Sequence, residues 1–383
     1  MPSKERYRWP DSIRVIGWTG LGVNIYNAWV PKICKDTGMR PRIANTKDSL
    51  ERFKYTKLGL FDMTAGGTTE TSLMMEGDRR FADRDTGPFQ IRVVWVQSRG
   101  NSGIVVRGDS HIKNIYDIKP GVRVVDMRHY VASQRIQEAC LAWAGIKDLE
   151  KDVQWVPAYS SEEKVQLIVD GKADMTHIVS STVAVMRAEK NPYGLRWIDL
   201  NEEKDPEGAA RFRAIDPLVS FGPMFNGPPS CIGVWGTIGT SLYITNEKTD
   251  AEYVYHLAKW MDENWPRYKD GHPWCKYMTR DNLMDELNHT FYPCHEGLIK
   301  YLKELGLWTA DHDRRQKFNV GMVTRYCEAN AAAIARADEM NLWVNHQNPK
   351  WIEFWENYKK EINLPKFRMF RNIKTDEFAA GRR

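Results

Sequence analysis

No stretch of this sequence approaches the run of about 18 apolar residues that a membrane-spanning helix needs. Residues 1–10 are polar and lack an apolar central region, so no secretory leader is read there. The expected location is the periplasm if a leader was trimmed and the cytoplasm if Met1 is the native start. Cysteine is sparse: Cys34, Cys140, Cys231, Cys275, Cys294 and Cys327 are widely scattered, which excludes a small disulfide-stapled scaffold and favours buried free thiols. Charge of one sign is not in excess either. The 55 basic and 50 acidic residues leave a formal +5, too little to argue for nucleic acid, and the basic tail from residue 366 onward reads as a solvated terminus. Common catalytic signatures are missing: no Gly-x-x-x-x-Gly-Lys-Ser/Thr loop, no His-Glu-x-x-His and no Gly-x-Ser-x-Gly elbow. Gly17-x-x-Gly20-x-Gly22 has the wrong glycine order for a dinucleotide fingerprint. His272, Cys275, Cys294 and His295 are metal-ligand types without metal-ligand spacing. No cofactor and no metal are expected.

What the chain does contain is one pattern written twice across 383 residues, a length that suggests two domains. Residues 13–17 read as a buried strand feeding a glycine turn. A helix follows with Tyr26, Trp29, Val30, Ile33 and Cys34 on one face. Then come a strand over 41–44, a helix opened by Asp48 and Glu51 at capping-box spacing, and a strand over 61–65 ending in Gly66-Gly67. The second copy runs strand 122–126, helix 131–144, strand 153–156, helix from Ser161 to about 170, and strand 173–179. The wording itself repeats, Gly59-Leu60-Phe61-Asp62-Met63-Thr64 against Gly171-Lys172-Ala173-Asp174-Met175-Thr176.

Two β-α-β-α-β units predict an α/β fold with two similar lobes and mostly parallel sheets around a hinge and cleft. Lobe 1 is expected over 13–106 and 236–310, and lobe 2 over 107–235. A helical C-terminal extension is expected over 311–383, with a helix across 320–340. The linkers between lobes are placed at 103–107 and 231–238. Ligands of such sheets sit beyond the carboxyl ends of the strands, so both lobes would face one shared cleft that closes by hinge motion.

Several segments in collinear order carry a family resemblance. They are Ile16-Gly17-Trp18-Thr19-Gly20 running to Tyr26, Leu58-Gly59-Leu60-Phe61-Asp62, and the segment 103–113 continued by 116–124. Leu167-Ile168-Val169-Asp170-Gly171-Lys172-Ala173-Asp174 and Tyr292-Pro293-Cys294-His295-Glu296-Gly297, leading to Tyr301, Glu304 and Gly306, complete the set. Over residues 13–308 the chain resembles the TAXI family of solute-binding proteins that serve TRAP transporters. The resemblance implies a type II periplasmic-binding-protein fold, capture of small carboxylates, membrane transporter subunits as partners, and no catalysis. The chain departs from that family at Asp126-Met127-Arg128-His129-Tyr130-Val131-Ala132-Ser133, where small residues are usual, and in the extension after about 311. The extension is read as an added contact surface, with self-association through its helices as one option.

The candidate ligand-binding residues follow from the turns. Arg128, His129, Tyr130 and Ser133 sit where a strand meets a helix N-terminus, whose unpaired amides attract anions. Arg128 is either a bidentate carboxylate partner or a solvated surface residue. Trp18, Thr19 and Asn24 hold the matching turn of lobe 1, with Trp18 either stacking on a planar ligand or packing between helices. Thr68 and Thr69 follow one strand, and Ser180 and Ser181 another; each is a helix cap or a ligand contact. Phe225 is a pocket wall or loop packing. The expected function is capture of a small organic anion, a carboxylate with an aromatic variant, in the interlobe cleft. The alternative is a cytoplasmic enzyme or ligand sensor on the same fold, with His129 as an acid–base candidate.

Overall fold

Ile13, Val15 and Ile16 are buried in the first strand, β1 (Ser12–Trp18), of a computed structural model that describes residues 7–19 and 21–375. The helix α1 (Leu21–Thr37) lays Tyr26, Trp29, Val30 and Ile33 on that strand. It returns the chain to β2 (Arg40–Thr46), parallel to β1 throughout. Then follow α2 (Ser49–Lys57), β3 (Thr64–Gly67) and α3 (Thr68–Glu76). Asp48 caps α2 by accepting from Leu50 N. Its own N–H goes to Thr46 Oγ1, and that hydroxyl also donates to Glu51, so the expected reciprocal box is rerouted through Thr46.

The second copy consists of β5 (Val122–Asp126), α4 (Val131–Ala144), β6 (Val153–Pro157), α5 (Ser161–Val169) and β7 (Thr176–Val179). It comes after the long strand β4 (Ile91–Arg107). The repeated wording has a structural cause. In lobe 1, Arg14 N and Nε donate to Asp62 at 2.7 and 3.0 Å, joining β1 to the approach of β3. In lobe 2, Arg123 N and Nε donate to Asp174 at 2.8 and 3.2 Å, joining β5 to the approach of β7. Single parallel bridges, Val15 to Met63 and Val124 to Met175, continue each parallel set. Gly59 and Gly171 turn the chain at φ +70° and +67°, a left-handed conformation that side chains disfavour. The fold is α/β with two similar lobes.

Two strands cross from lobe to lobe. β4 pairs β10 (Trp235–Asn246) along its first part, and its end pairs β7 and β8 (Leu195–Trp197). β10 in turn pairs β3 in lobe 1 and β9 (Ser220–Pro223) in lobe 2, all antiparallel. The crossing strands are therefore longer than the linkers at 103–107 and 231–238. The stretch Gln97-Ser98-Arg99-Gly100-Asn101-Ser102 breaks the apolar alternation a strand is expected to show, because it floors a cavity.

The C-terminal helix begins at 310, ten residues before its expected start, as Ala310–Glu339, behind a Thr309–His312 capping box. A second helix is Pro349–Glu361. The extension is not a separate body: Val323, Tyr326, Trp351 and Trp355 belong to the hydrophobic core of lobe 1. Trp351 Nε1 donates to Ala82 O and Trp355 Nε1 to Glu76 O. Each such tryptophan buries on the order of 200 Å², a gross gain of roughly 5 kcal/mol at about 25 cal/mol per Å². The described part of the basic tail is packed rather than solvated, with Phe367, Met369 and Phe370 buried. Residues 376–383 of that tail lie outside the described residues. The six cysteines are free thiols, and no described helix is long and apolar enough to cross a membrane.

Candidate functional site

A cavity with about 180 Å³ of free space lies where the carboxyl ends of β1 and β3 face those of β5 and β7. Its lobe 1 wall is Trp18 from the end of β1, Arg52 from α2, and Thr68, Thr69 and Glu70 from the first turn of α3. Its lobe 2 wall is Tyr130, Ala132, Ser133 and Ile136 from the start of α4, with His177 and Val179 from β7. Gln97, Ser98 and Asn101 of β4 and Thr237 to Ser241 of β10 form the floor, and Trp274 covers one side.

The repeat explains the symmetry of these walls. Ala65 follows the first copy of the shared wording and His177 follows the second, and both line the cavity. Neither α3 nor α4 has a side chain capping its first turn. First-turn amides lack partners within the helix and carry the positive end of the helix dipole. Each lobe thus presents hydrogen-bond donors to the same space.

Contacts between the walls hold the lobes together. The Trp18 and Tyr130 rings stack across the cleft, centroids 4.5 Å apart. Thr69 Oγ1 donates to Asp216 Oδ2 at 2.8 Å, Trp274 Nε1 to Ser181 Oγ at 2.8 Å, and Arg79 Nη1 to Glu138 Oε1 at 3.0 Å. The structure is that of a closed cleft.

The charged groups lining the cavity are Arg52 and Glu70, which pair with each other and are 5% and 4% exposed. Burial alone would lower the basicity of Arg52, but the charge and hydrogen bond of Glu70 raise it above its ordinary value. Arg52 also donates to Ala65 O and lies over the Trp18 ring at 5.8 Å. Beside this pair the lining surface is mostly apolar, interrupted by hydroxyl and amide side chains. Gln97, Ser98 and Thr240 make no side-chain hydrogen bond among the described residues and keep their polar atoms for the cavity.

His177 is buried and bridges two hydroxyls: Nδ1 meets Ser133 Oγ and Nε2 meets Ser102 Oγ, each at 2.8 Å. Burial and the nearby Lys164 charge push its pKa down to about 3, so it is neutral. Lys164 Nζ donates to His177 O at 2.9 Å, and burial lowers Lys164 to about 7. Ser133 beside His177 has the layout of a nucleophile next to a base. A base so weakened, with hydroxyls and no carboxylate at its nitrogens, instead ties the start of α4 to the floor strand.

The sequence-derived candidates divide. Trp18, Thr68, Thr69, Tyr130 and Ser133 line the cavity. Arg128 does not: its side chain is 68% exposed and forks onto Asp126. His129 lies outside the lining as well, its ring tilted against Tyr159 and its pKa lowered by burial. Thr19 is exposed and bonds Asn45 Oδ1, and Asn24 is on the exposed face of α1. Ser180 is used by Asn101 and Asn226, and Ser181 holds Trp274. Phe225 is half-exposed and packs edge-on against Tyr277. His272 and His295 cap short helices through Trp274 N and Gly297 N.

Arg52, Glu70 and His177 were not among those candidates. Arg52 carried a readable signal, because a charged residue sits on the buried stripe Ser49, Arg52, Phe53 and Thr56 of α2. Glu70 carried none, since a third-position glutamate is ordinary in a helix first turn.

A sequence profile described as the NMT1-like family matches residues 18–306. The chain belongs to the NMT1-like family. No curated protein matches it. Among solved structures it is similar to the periplasmic aliphatic sulphonate binding protein SsuA from Escherichia coli, at 13% identity over 81% of this chain and 84% of that one, TM-score 0.42. It is similar to a binding protein component of an ABC phosphonate transporter from Pseudomonas aeruginosa, at 12% over 84% and 99%, TM-score 0.45. The alkanesulfonate-binding protein SsuA from Xanthomonas axonopodis pv. citri, bound to MOPS, matches at 11% over 89% and 96%, TM-score 0.43. At these identities and scores the likeness is one of layout alone. The helices of this NMT1-like chain after residue 306 lie beyond the matched stretch, yet they are built into the core of lobe 1.

Proposed function

We propose that this NMT1-like chain is a solute-binding protein that closes two lobes over a small organic anion, a carboxylate first among candidates. The observation that supports this most is one cavity between duplicated lobes, walled by the uncapped first turn of a helix from each. Such turns stabilise anionic groups through amide donors and dipole. The closing bodies are taken as 13–106 with 236–310, and 107–235, with the C-terminal helices riding on the first. Ligand contacts are assigned to Trp18, Thr68, Thr69, Tyr130 and Ser133, joined by Arg52, Glu70 and His177. The resemblance to the TAXI family supports a membrane transporter of the TRAP type as partner and a periplasmic site of action.

The test is a thermal-shift and calorimetric titration of the full chain against small carboxylates, sulfonates and phosphonates. A ligand at a hundred times its Kd stabilises by about 2.7 kcal/mol, which a melt resolves. If no acid shifts the melt and native mass spectrometry releases no small molecule, the reading is wrong.

A further inference from the structure

An arginine and a carboxylate ordinarily meet as a two-bond fork. In the buried pair of lobe 1 that fork is half made. Arg52 Nη2 donates to Glu70 Oε2 and Nη1 is tied to the Ala65 carbonyl. Arg52 Nε and Glu70 Oε1 are both buried and have no partner. A donor and an acceptor are therefore left unpaired on two residues that line the cavity. Buried polar atoms are rarely left so, because the lost hydration is uncompensated.

An anionic group alone does not complete this arrangement. It would accept from Arg52 Nε, but its charge would meet the open Glu70 oxygen. A group that donates and accepts side by side completes both. The start of α4, on the facing wall, offers the opposite chemistry: first-turn amides with Ser133, and no carboxylate among the lining residues of lobe 2.

We propose that the ligand carries a donor–acceptor group such as a primary amide, read by Arg52 and Glu70, and an anionic end held at the first turn of α4. This rests on the solute-binding reading and narrows its substrate class to amide-bearing acids.

The experiment uses two matched pairs on the full chain: terephthalate with its monoamide, and glutarate with its monoamide. Within each pair a carboxylate is exchanged for an amide of the same shape. Calorimetry should show at least one monoamide binding about tenfold tighter than its dicarboxylate, as expected where a site is built to pair an N–H group. In Glu70→Gln the preference should fall below about twofold, because the side chain then offers a donor to the dicarboxylate. If that variant does not fold, the wild-type ranking decides by itself. Equal binding within both pairs, or tighter dicarboxylates, overturns the amide inference and leaves the anion-binding reading standing. No binding by any of the four at millimolar concentration counts against both.

Discussion

Arg52 illustrates how much one side chain carries. It sits on the buried face of α2, holds Glu70 and the Ala65 carbonyl, and lies over the Trp18 ring that closes the cleft. Removing one partner of a buried ion pair leaves the other charge without hydration or counter-charge, which costs about 3–5 kcal/mol. Arg52→Met should therefore lower unfolding stability by about that amount in denaturant titrations. The double variant Arg52→Met/Glu70→Leu should recover most of the loss, because no lone charge is then buried. A single variant with wild-type stability would show that the pair is hydrated in solution. Arg128, favoured by sequence position, failed to reach the cavity for a local reason. Asp126, two residues earlier, captures its guanidinium at the surface. The stripe that holds Arg52 could be read from helical spacing, whereas the fork of Arg128 onto Asp126 is a matter of side-chain placement that residue type does not decide.

The helix α3 shows the same dependence one level up. All nine of its residues are buried, although Thr68-Thr69-Glu70-Thr71-Ser72 is a run of polar side chains. The C-terminal helices cover its far end, where Phe367 N donates to Glu76 Oε1 at 2.8 Å and Lys359 Nζ reaches Glu76 O and Asp78 Oδ1. Burial, reinforced by the charge of Asp78, pushes the Glu76 carboxyl up to about 7, from 4.5. The folded form therefore holds this proton where the unfolded chain has lost it. Its favourable contribution is complete below about pH 4.5 and is lost as pH rises through 7. Glu76→Gln keeps the acceptor for Phe367 N and has no proton to lose. Melting temperatures from pH 4.5 to 7.5 should fall for wild type relative to the variant, and parallel curves would show that Glu76 ionises normally. Most strands and helices were legible from periodicity and glycine breaks, α4 to the residue. The crossing strands and the start of the 310–339 helix were not. There, polar residues face the cavity or solvent, and hydrophobic pattern carries no signal.

For the whole molecule the decisive contacts lie between lobes. The Trp18–Tyr130 stack contributes about 0.5–1.5 kcal/mol beyond area burial, alongside the Thr69–Asp216, Trp274–Ser181 and Arg79–Glu138 contacts. Trp18→Ala removes the stack without touching the core of either lobe. It should shift the ligand-free protein toward an open form by roughly two- to tenfold in population. Small-angle scattering, or energy transfer between labels on the two lobes, would read this as a larger radius or a longer distance. An unchanged profile would mean that the polar contacts alone keep the cleft shut.

Sequence alone determined the duplicated α/β lobes, because the Gly-x-x-Asp-Met-Thr wording and the order of elements are local patterns that each copy needs in order to close its own sheet. It also placed Trp18, Tyr130 and Ser133 at strand ends, where such sheets open. The tertiary structure alone decided which charges meet in the cleft, that His177 is buried between two hydroxyls, and that the C-terminal helices complete the core of lobe 1. Those outcomes depend on residues far apart in the chain being desolvated together. Burial, unlike periodicity, is a property of the assembled molecule.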